Sequence, residues 1–371
     1  MVSMMHEKNA YPRNVSLTLP RSWNECTTEQ LELISRIMLE QIERVDRYHP
    51  FDMRNVKIAC FFVLSEIEIV EASDESLPID EQCYMCRFSS GKGKAKRSWL
   101  SKHQGQRHRN DLFPLYLWQI NYWLSPKAKT KAKESVEYLS SGAGILDWLD
   151  NNRGPYLTRF PYPTMRLRAK DGLLRSKVEF EGVAQDMDGF SWRQYRFAVD
   201  LMGQYTSLSN NLLRMQRMGT FTEEQIAQQT HNVDLARAMF LATIFNRHIA
   251  YIDTNTNMQV CDFHYDTHQH VANVAYFHHF QDHQWQPILF WWTGMMHTLS
   301  VRYPHVFKVQ KLDRQERPST PLEIYTATIA TMQKYASLTE DQMNNQSYSL
   351  VLEHLERLTK ENEELEKIRN K

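Results

Sequence analysis

In the segment "TTEQLELISRIMLEQIERV", residues Leu31, Ile34, Ile37, Met38, Ile42 and Val45 recur at helical spacing. A period near 3.6 gathers apolar side chains on one stripe of a helix, whereas a strand would scatter them over both faces. Thr27 and Gln30 stand at the offset of a capping box, where the side chain of each meets a main-chain N–H of the other. The same pattern returns along the chain. It runs over 53–70, with Val56, Ala59, Cys60, Val63, Ile67 and Val70 inward, and over 113–124 and 144–150. Ser191 caps a segment carrying Trp192, Tyr195, Phe197, Val199 and Met202, and "TEEQIAQQ" (222–229) has an acidic first turn after Thr222. "NVDLARAMFLATIFNR" reads as a buried helix, and "WQPILFWWTGMMHTLSVRYP" is apolar on all sides and so central to a core. Only 12 glycines and 13 prolines in 371 residues leave room for long helices.

Two stretches break the helical pattern. "QCYMCRF" and "KRSWLSK" alternate around the turn "SSGKGKA", and "TMRLRAK" and "RSKVEFEG" flank the turn "DGLL". Residues 151–163 carry three prolines and a glycine, which marks a boundary. The expected fold is mainly α and multihelical, with two small β-hairpins and a C-terminal amphipathic helical tail. The expected domains are 1–155, with a hairpin near 82–102; 156–310, with a hairpin near 164–182; and the tail, 311–371.

Lys+Arg and Asp+Glu both number 44, so the chain lacks the overall basic bias of a generic nucleic-acid binder. The cysteines, Cys26, Cys60, Cys83, Cys86 and Cys261, are odd in number and sparse, which suits a reducing compartment better than a disulfide framework. Cys60 reads as a small core residue. "MVSMMHEKNAYPRN" has no apolar signal core, and the longest apolar run, "ILFWWTGMM", is too short to span a bilayer. A cytoplasmic protein without a membrane partner is expected.

Three stretches carry candidate chemistry. Cys83, Cys86, His103 and His108 form C-x2-C-x16-H-x4-H, a set of ligand types that suits tetrahedral zinc. The central gap exceeds that of ordinary fingers, and Gly105 lies between the histidines. The competing reading is a hairpin whose cysteines pack or lie exposed. On a continuous strand the two thiols would face opposite sides, so only a turn at Tyr84–Met85 would bring both to one metal. Around this motif Arg87, Lys92, Lys94, Lys96, Arg97, Lys102, Arg107 and Arg109 run without an intervening acid. Such a run binds phosphates, faces an acidic protein, or stays solvated. Trp99 is the only aromatic interleaved after Phe88, so a stacking platform has little support. His264 and His268, and His279 and His283, are each four apart, with Asp262, Asp266 and Asp282 nearby. On a helix each pair could chelate a divalent metal; ordinary hydrogen-bonded histidines are the default.

No phosphate-binding loop, dinucleotide fingerprint, nucleophile elbow or kinase signature occurs, and the expectation is a non-enzymatic protein without a resident cofactor, zinc being the alternative. Near the C-terminus Leu355, Leu358, Asn362 and Leu365 alternate by three and four. Asn362 falls where a coiled coil uses a polar residue to fix register. The stripe either pairs with another helix, including a second copy, or docks on its own protein.

"LPRSWNECTTEQLELISRIML" resembles the opening of a group of tail-module proteins from prophages and mobile elements of Bacteroides-like bacteria. "FEGVAQDMDGFSWRQYRFAVDLMGQY", "LARAMFLATIFNR" and the late helix reaching "RYPHVF" are similar to the same group. The final "MQKYASLTEDQMNNQSYSLVLEHLERL", helix, break and helix, resembles the C-terminal extension of phage tail assembly chaperones. The resemblance implies a bacteriophage morphogenesis protein that binds a tape-measure or tail-tube protein in the host cytoplasm. The alternative is a zinc-stabilised nucleic-acid-binding protein using 83–109. Methionine, unbranched and adaptable, suits the apolar grooves a chaperone needs. The 17 methionines include Met202, Met215, Met218, Met239, Met295 and Met296, most of which read as core filler.

Overall fold

The computed structural model describes residues 19–45, 50–74, 76–78, 81–88, 112–124, 146–150, 157–168, 177–247, 249–252, 259–262, 265, 267–278, 280–308 and 321–369. The fold is mainly α. The chain divides into two compact units, Met1–Tyr156 and Leu157–Lys371.

In the first unit, helix α1 (Thr28–Glu43) starts at the Thr27–Gln30 capping box, with Gln30 N–H donating to Thr27 Oγ1 at 3.2 Å and Thr27 N–H to Gln30 Oε1 at 2.9 Å. Leu31, Ile34 and Ser35 are its buried face, while Ile42 and Val45 at its far end are exposed. Before it, Trp23 meets Trp148 edge-on with ring centroids 5.0 Å apart, and Trp148 Nε1 donates to the Pro20 carbonyl at 3.0 Å. The "LPRSW" opening is thus a packed element rather than a loose leader to α1.

Helix α2 (Met53–Leu64) stops short of the 53–70 helix that the apolar spacing predicts. Glu66 takes a left-handed φ of 54°, and "IEIVEA", rich in β-branched residues, continues as strand β1 (Ile67–Ala72). Val70, expected inward, is exposed. Strand β2 (Cys83–Phe88) pairs antiparallel with β1 and with β3 (Phe113–Tyr116), not with 96–102, which lies outside the described residues. The apolar stretch from Phe113 therefore opens as a strand and becomes helix α3 (Leu117–Leu124) only afterwards. Pro114 is tolerated because β3 is an edge of the sheet order β1-β2-β3. At 147–150 the chain forms a 3-10 turn.

The second unit is built on a long helical pair. Helix α4 (Trp192–Met218) begins where Ser191 Oγ accepts from Gln194 N–H at 3.2 Å and ends at Gly219 in the left-handed region, φ 63°. Helix α5 (Glu223–Ile244) opens on a Thr222–Gln225 capping box and absorbs both pieces expected over 222–247 into one element. Two buried amides bolt the pair: Gln194 Nε2 donates to the Thr243 carbonyl at 2.7 Å, and Gln229 Nε2 to the Leu208 carbonyl at 2.9 Å. Strands β4 (Thr164–Leu167), β5 (Val178–Glu181) and β6 (Asn246–Arg247) form an antiparallel sheet, and β7 (Ile249–Ile252) pairs with β8 (Gln259–Asp262).

Helix α6 (Thr267–Phe277) packs on α5, and α7 (Asp282–Arg302) fills the core. Trp291 stands edge-on to Phe160 at 4.7 Å, Trp292 to Phe240 at 5.2 Å and Trp285 to Tyr205 at 5.0 Å. Trp285 Nε1 also donates to Tyr205 Oη at 2.7 Å. Each such edge-on pair adds about 0.5–1.5 kcal/mol beyond the area it buries. Helices α8 (Pro321–Ala336), α9 (Glu340–Asn345) and α10 (Tyr348–Arg369) complete this unit. Among the described residues no helix is long and apolar enough to cross a membrane.

Candidate partner-binding surface

Strand β2 is continuous from Cys83 to Phe88, and its register against β3 (Cys83 opposite Tyr116, Cys86 opposite Phe113) is unbroken. No turn intervenes at Tyr84–Met85, so Cys83 and Cys86 point to opposite faces. Cys86 is fully buried beside Phe113, and Tyr84 on the same face meets Phe62 edge-on at 5.7 Å. Cys83 is half-buried on the other face, which also carries Arg87, ion-paired with Glu68 at 2.8 Å. Burial, with a smaller contribution from Cys83, pushes the Cys86 thiol up to about 11; burial and then Glu71 raise Cys83. In this strand the two sulfurs do not converge. His103 and His108 lie outside the described residues, as do Lys92, Lys94, Lys96, Arg97, Lys102, Arg107 and Arg109.

Among the histidine candidates, His268 sits on α6 and Asp282 and His283 open α7, whereas His264, Asp266 and His279 are outside the described residues. Asp282 is engaged by Arg237, which also pairs with Asp234 at 2.8 Å. Among the described residues no group of three or more His, Cys, Asp or Glu side chains is placed to hold a metal ion.

The geometry is richest where α10 meets the rest of its unit. Its start is tied by main-chain bonds: Trp192 N–H donates to the Gln346 carbonyl at 2.8 Å and Tyr348 N–H to the Phe190 carbonyl at 3.0 Å, around an antiparallel bridge of Ser191 and Ser347. Tyr348 stacks on Tyr195 at 5.5 Å and meets Phe190 edge-on at 6.4 Å. Burial pushes its hydroxyl up to about 12, so it stays a donor at any physiological pH. Seven residues earlier, in α9, Asp341 pairs with Arg193 at 3.1 Å.

Farther along, α10 is held by carboxylates. Glu353 pairs with Arg302 at 3.2 Å. Glu356 accepts from the main-chain N–H of His305 at 3.0 Å and of Val306 at 2.9 Å. Glu363 meets Lys308 Nζ at 2.8 Å and His305 Nδ1 at 3.1 Å. The Lys308 hydrogen bond, and then that of His305, holds the Glu363 carboxyl below its ordinary value. None of these acids was singled out in the sequence, because each looks like an ordinary solvated charge on an amphipathic helix.

The expected pairing stripe splits accordingly. Leu355 is half-buried and Leu358 buried, but Asn362 is exposed and Leu365 is 63% exposed, with Ile368 exposed beside it. The real inward face is Tyr348, Val351, Leu352 and Leu358. The first part of the helix therefore docks on its own unit, and the last turns stand clear of it.

Between α8 and α10 lies an open cleft of about 350 Å³. Met332, Leu338, Val351 and Leu358 make its apolar wall, with Leu350 at the mouth. Among the described residues its polar lining is Gln346, His354 and Arg357, with no carboxylate. The methionine that reaches this cleft, Met332, was not among those singled out; of those, Met202, Met215 and Met295 are core. The capping box Thr339–Gln342 sets the corner between α8 and α9, and that signal was present in "SLTEDQ".

No protein-family model, no curated protein and no solved structure matches the chain.

Proposed function

We propose that the chain is a non-enzymatic morphogenesis protein of a phage or prophage tail, a tail assembly chaperone that holds the tape-measure protein in the host cytoplasm. The observation that supports this reading is the apolar cleft beside α10. It lies within the segment whose helix, break and helix resemble chaperone C-terminal extensions. Two further pieces of the resemblance serve that same segment: "DMDGFSWRQY" supplies Asp186, Phe190, Trp192 and Arg193, and "RYPHVF" supplies Arg302, His305 and Val306. A holding protein needs an adaptable apolar surface and no acid–base pair, which suits this arrangement.

The exposed turns bearing Leu365 and Ile368 are the natural place for a tail-tube subunit or a second copy. The nucleic-acid alternative draws nothing from Cys83 and Cys86, whose sulfurs diverge. The test is co-expression with the tape-measure product of a neighbouring gene. The two should co-purify, and the tape-measure protein should gain solubility. A tape-measure protein that is soluble alone and never co-purifies would refute the assignment.

A further inference from the structure

We infer that the cleft between α8 and α10 receives an amphipathic helix carrying carboxylates beside a large apolar anchor. The inference deepens the chaperone reading and rests on it in taking the occupant to be a helix of another protein. The cleft is bounded by two helices, and its volume of about 350 Å³ falls in the range of small binding pockets. Helix-in-groove recognition uses apolar anchors at i, i+3, i+4 and i+7 against such a wall. Met332 and Val351 are fully shielded at its base, while Leu350 stands 42% exposed at its mouth, a large apolar group left in water.

Charge selects among helices. Among the described residues the lining holds Arg357 and His354 and no acid. Among the described residues Arg357 has a long contact with Glu361, 4.0 Å, and approaches His354 Nδ1 at 3.4 Å, with its side chain 64% exposed. A guanidinium so placed offers its planar fork to an incoming carboxylate. A lysine-rich helix would set cation against cation and be rejected.

The probe is a fluorescein-labelled 20-residue helical peptide with leucines at i, i+3, i+4 and i+7 and glutamates flanking them, alongside the same peptide with lysines in place of glutamates. Binding to the full chain is followed by anisotropy at low salt. The glutamate peptide should saturate and the lysine peptide should not. Arg357→Glu should weaken the glutamate peptide about tenfold, the loss of one charge-assisted contact, and admit the lysine peptide. Leu350→Asp should also weaken the glutamate peptide, by putting a charge where its apolar anchor would seat. Both positions are exposed, so circular dichroism should show intact helices in each variant.

Failure of the glutamate peptide to bind, equal binding of the two peptides, or binding that ignores both variants would overturn the proposal. So would a sedimentation dimer that either variant converts to monomer, since the occupant would then be a second copy. A chain that binds the glutamate peptide but not the tape-measure protein loses only the chaperone reading. One that keeps the tape-measure protein despite both variants loses only the cleft.

Discussion

Tyr348 and Asp186 are separated by 162 residues in sequence, yet the tyrosine hydroxyl donates to the aspartate's main-chain carbonyl at 2.8 Å. The receiving loop is not relaxed. Asp186 and Met187 both take left-handed φ values, 56° and 57°, at positions where a side chain makes that conformation costly. The bond therefore ties the start of α10 to a backbone that needs outside support to hold its shape.

Tyr348→Phe removes the donor and keeps the ring, so the stack on Tyr195 survives while the Asp186 carbonyl loses this partner. The expected loss is about 1 kcal/mol in the urea unfolding free energy. Tyr348→Ala also empties a buried aromatic site, and about 3–5 kcal/mol is expected. Amide exchange along 348–358 should speed up in both. Unchanged exchange in Tyr348→Phe would show that the hydroxyl does not hold the helix.

Two glycines in helix interiors should respond with opposite signs. A Cβ on Gly294 in α7 would lie 2.5 Å from the Leu157 carbonyl oxygen and 3.0 Å from the Leu157 N and C atoms. Backbone cannot swing aside as a side-chain tip can, so Gly294→Ala should cost about 1–3 kcal/mol despite alanine's better helix propensity. A Cβ on Gly203 in α4 meets nothing within 4 Å. Gly203→Ala should therefore stabilise by about 0.5–1 kcal/mol. A Gly294→Ala melt that rose alongside that of Gly203→Ala would refute the close approach at Leu157.

The sequence made the helical elements legible where apolar period and cap agreed, as at Thr27–Gln30 and Ser191. It misled where a helix hands over directly to a strand. Residues 53–70 carry apolar side chains at spacings compatible with a helix throughout, and only the backbone reversal at Glu66 separates α2 from β1. Strand alternation in "CYMCRF" predicts the opposite facing of Cys83 and Cys86 that the continuous β2 has. The clamp on α10 was invisible because its acids, Glu353, Glu356 and Glu363, acquire meaning only from Arg302, His305, Val306 and Lys308, roughly fifty residues earlier. No local pattern reports a contact of that range.

Acidification should release the far part of α10. Glu363 has its carboxyl depressed in the folded chain by Lys308 and then His305. A depressed carboxyl contributes stability that is fully present above its unfolded value, near 4.3, and is lost as pH falls through the folded value. The docking of 356–363 should thus be steady from neutral pH to about 5 and weaken below about 4.3. Glu363→Gln should remove this dependence at its own site and raise amide exchange there at pH 7. An exchange profile whose acid-side change is the same in wild type and Glu363→Gln would exclude the carboxylate as its source.

The divergence of Cys83 and Cys86 predicts unequal chemistry on neighbouring sulfurs. Thiolate is the reactive form, and a thiol raised from 9.0 to about 11 has roughly a hundredfold less of it at pH 8. Cys86 is also fully shielded. Iodoacetamide at pH 8 should therefore label Cys83 slowly in the folded protein and Cys86 only as the chain unfolds, with peptide mass spectrometry separating the two. A metal chelator should change neither rate, and the far-ultraviolet circular dichroism should be unaffected by it. Shared zinc ligation makes the contrary forecast, since both sulfurs would be protected together and a chelator would expose both together. Parallel protection abolished by chelator would mean that β2 opens a turn at Tyr84–Met85 when metal binds, and the finger reading would return.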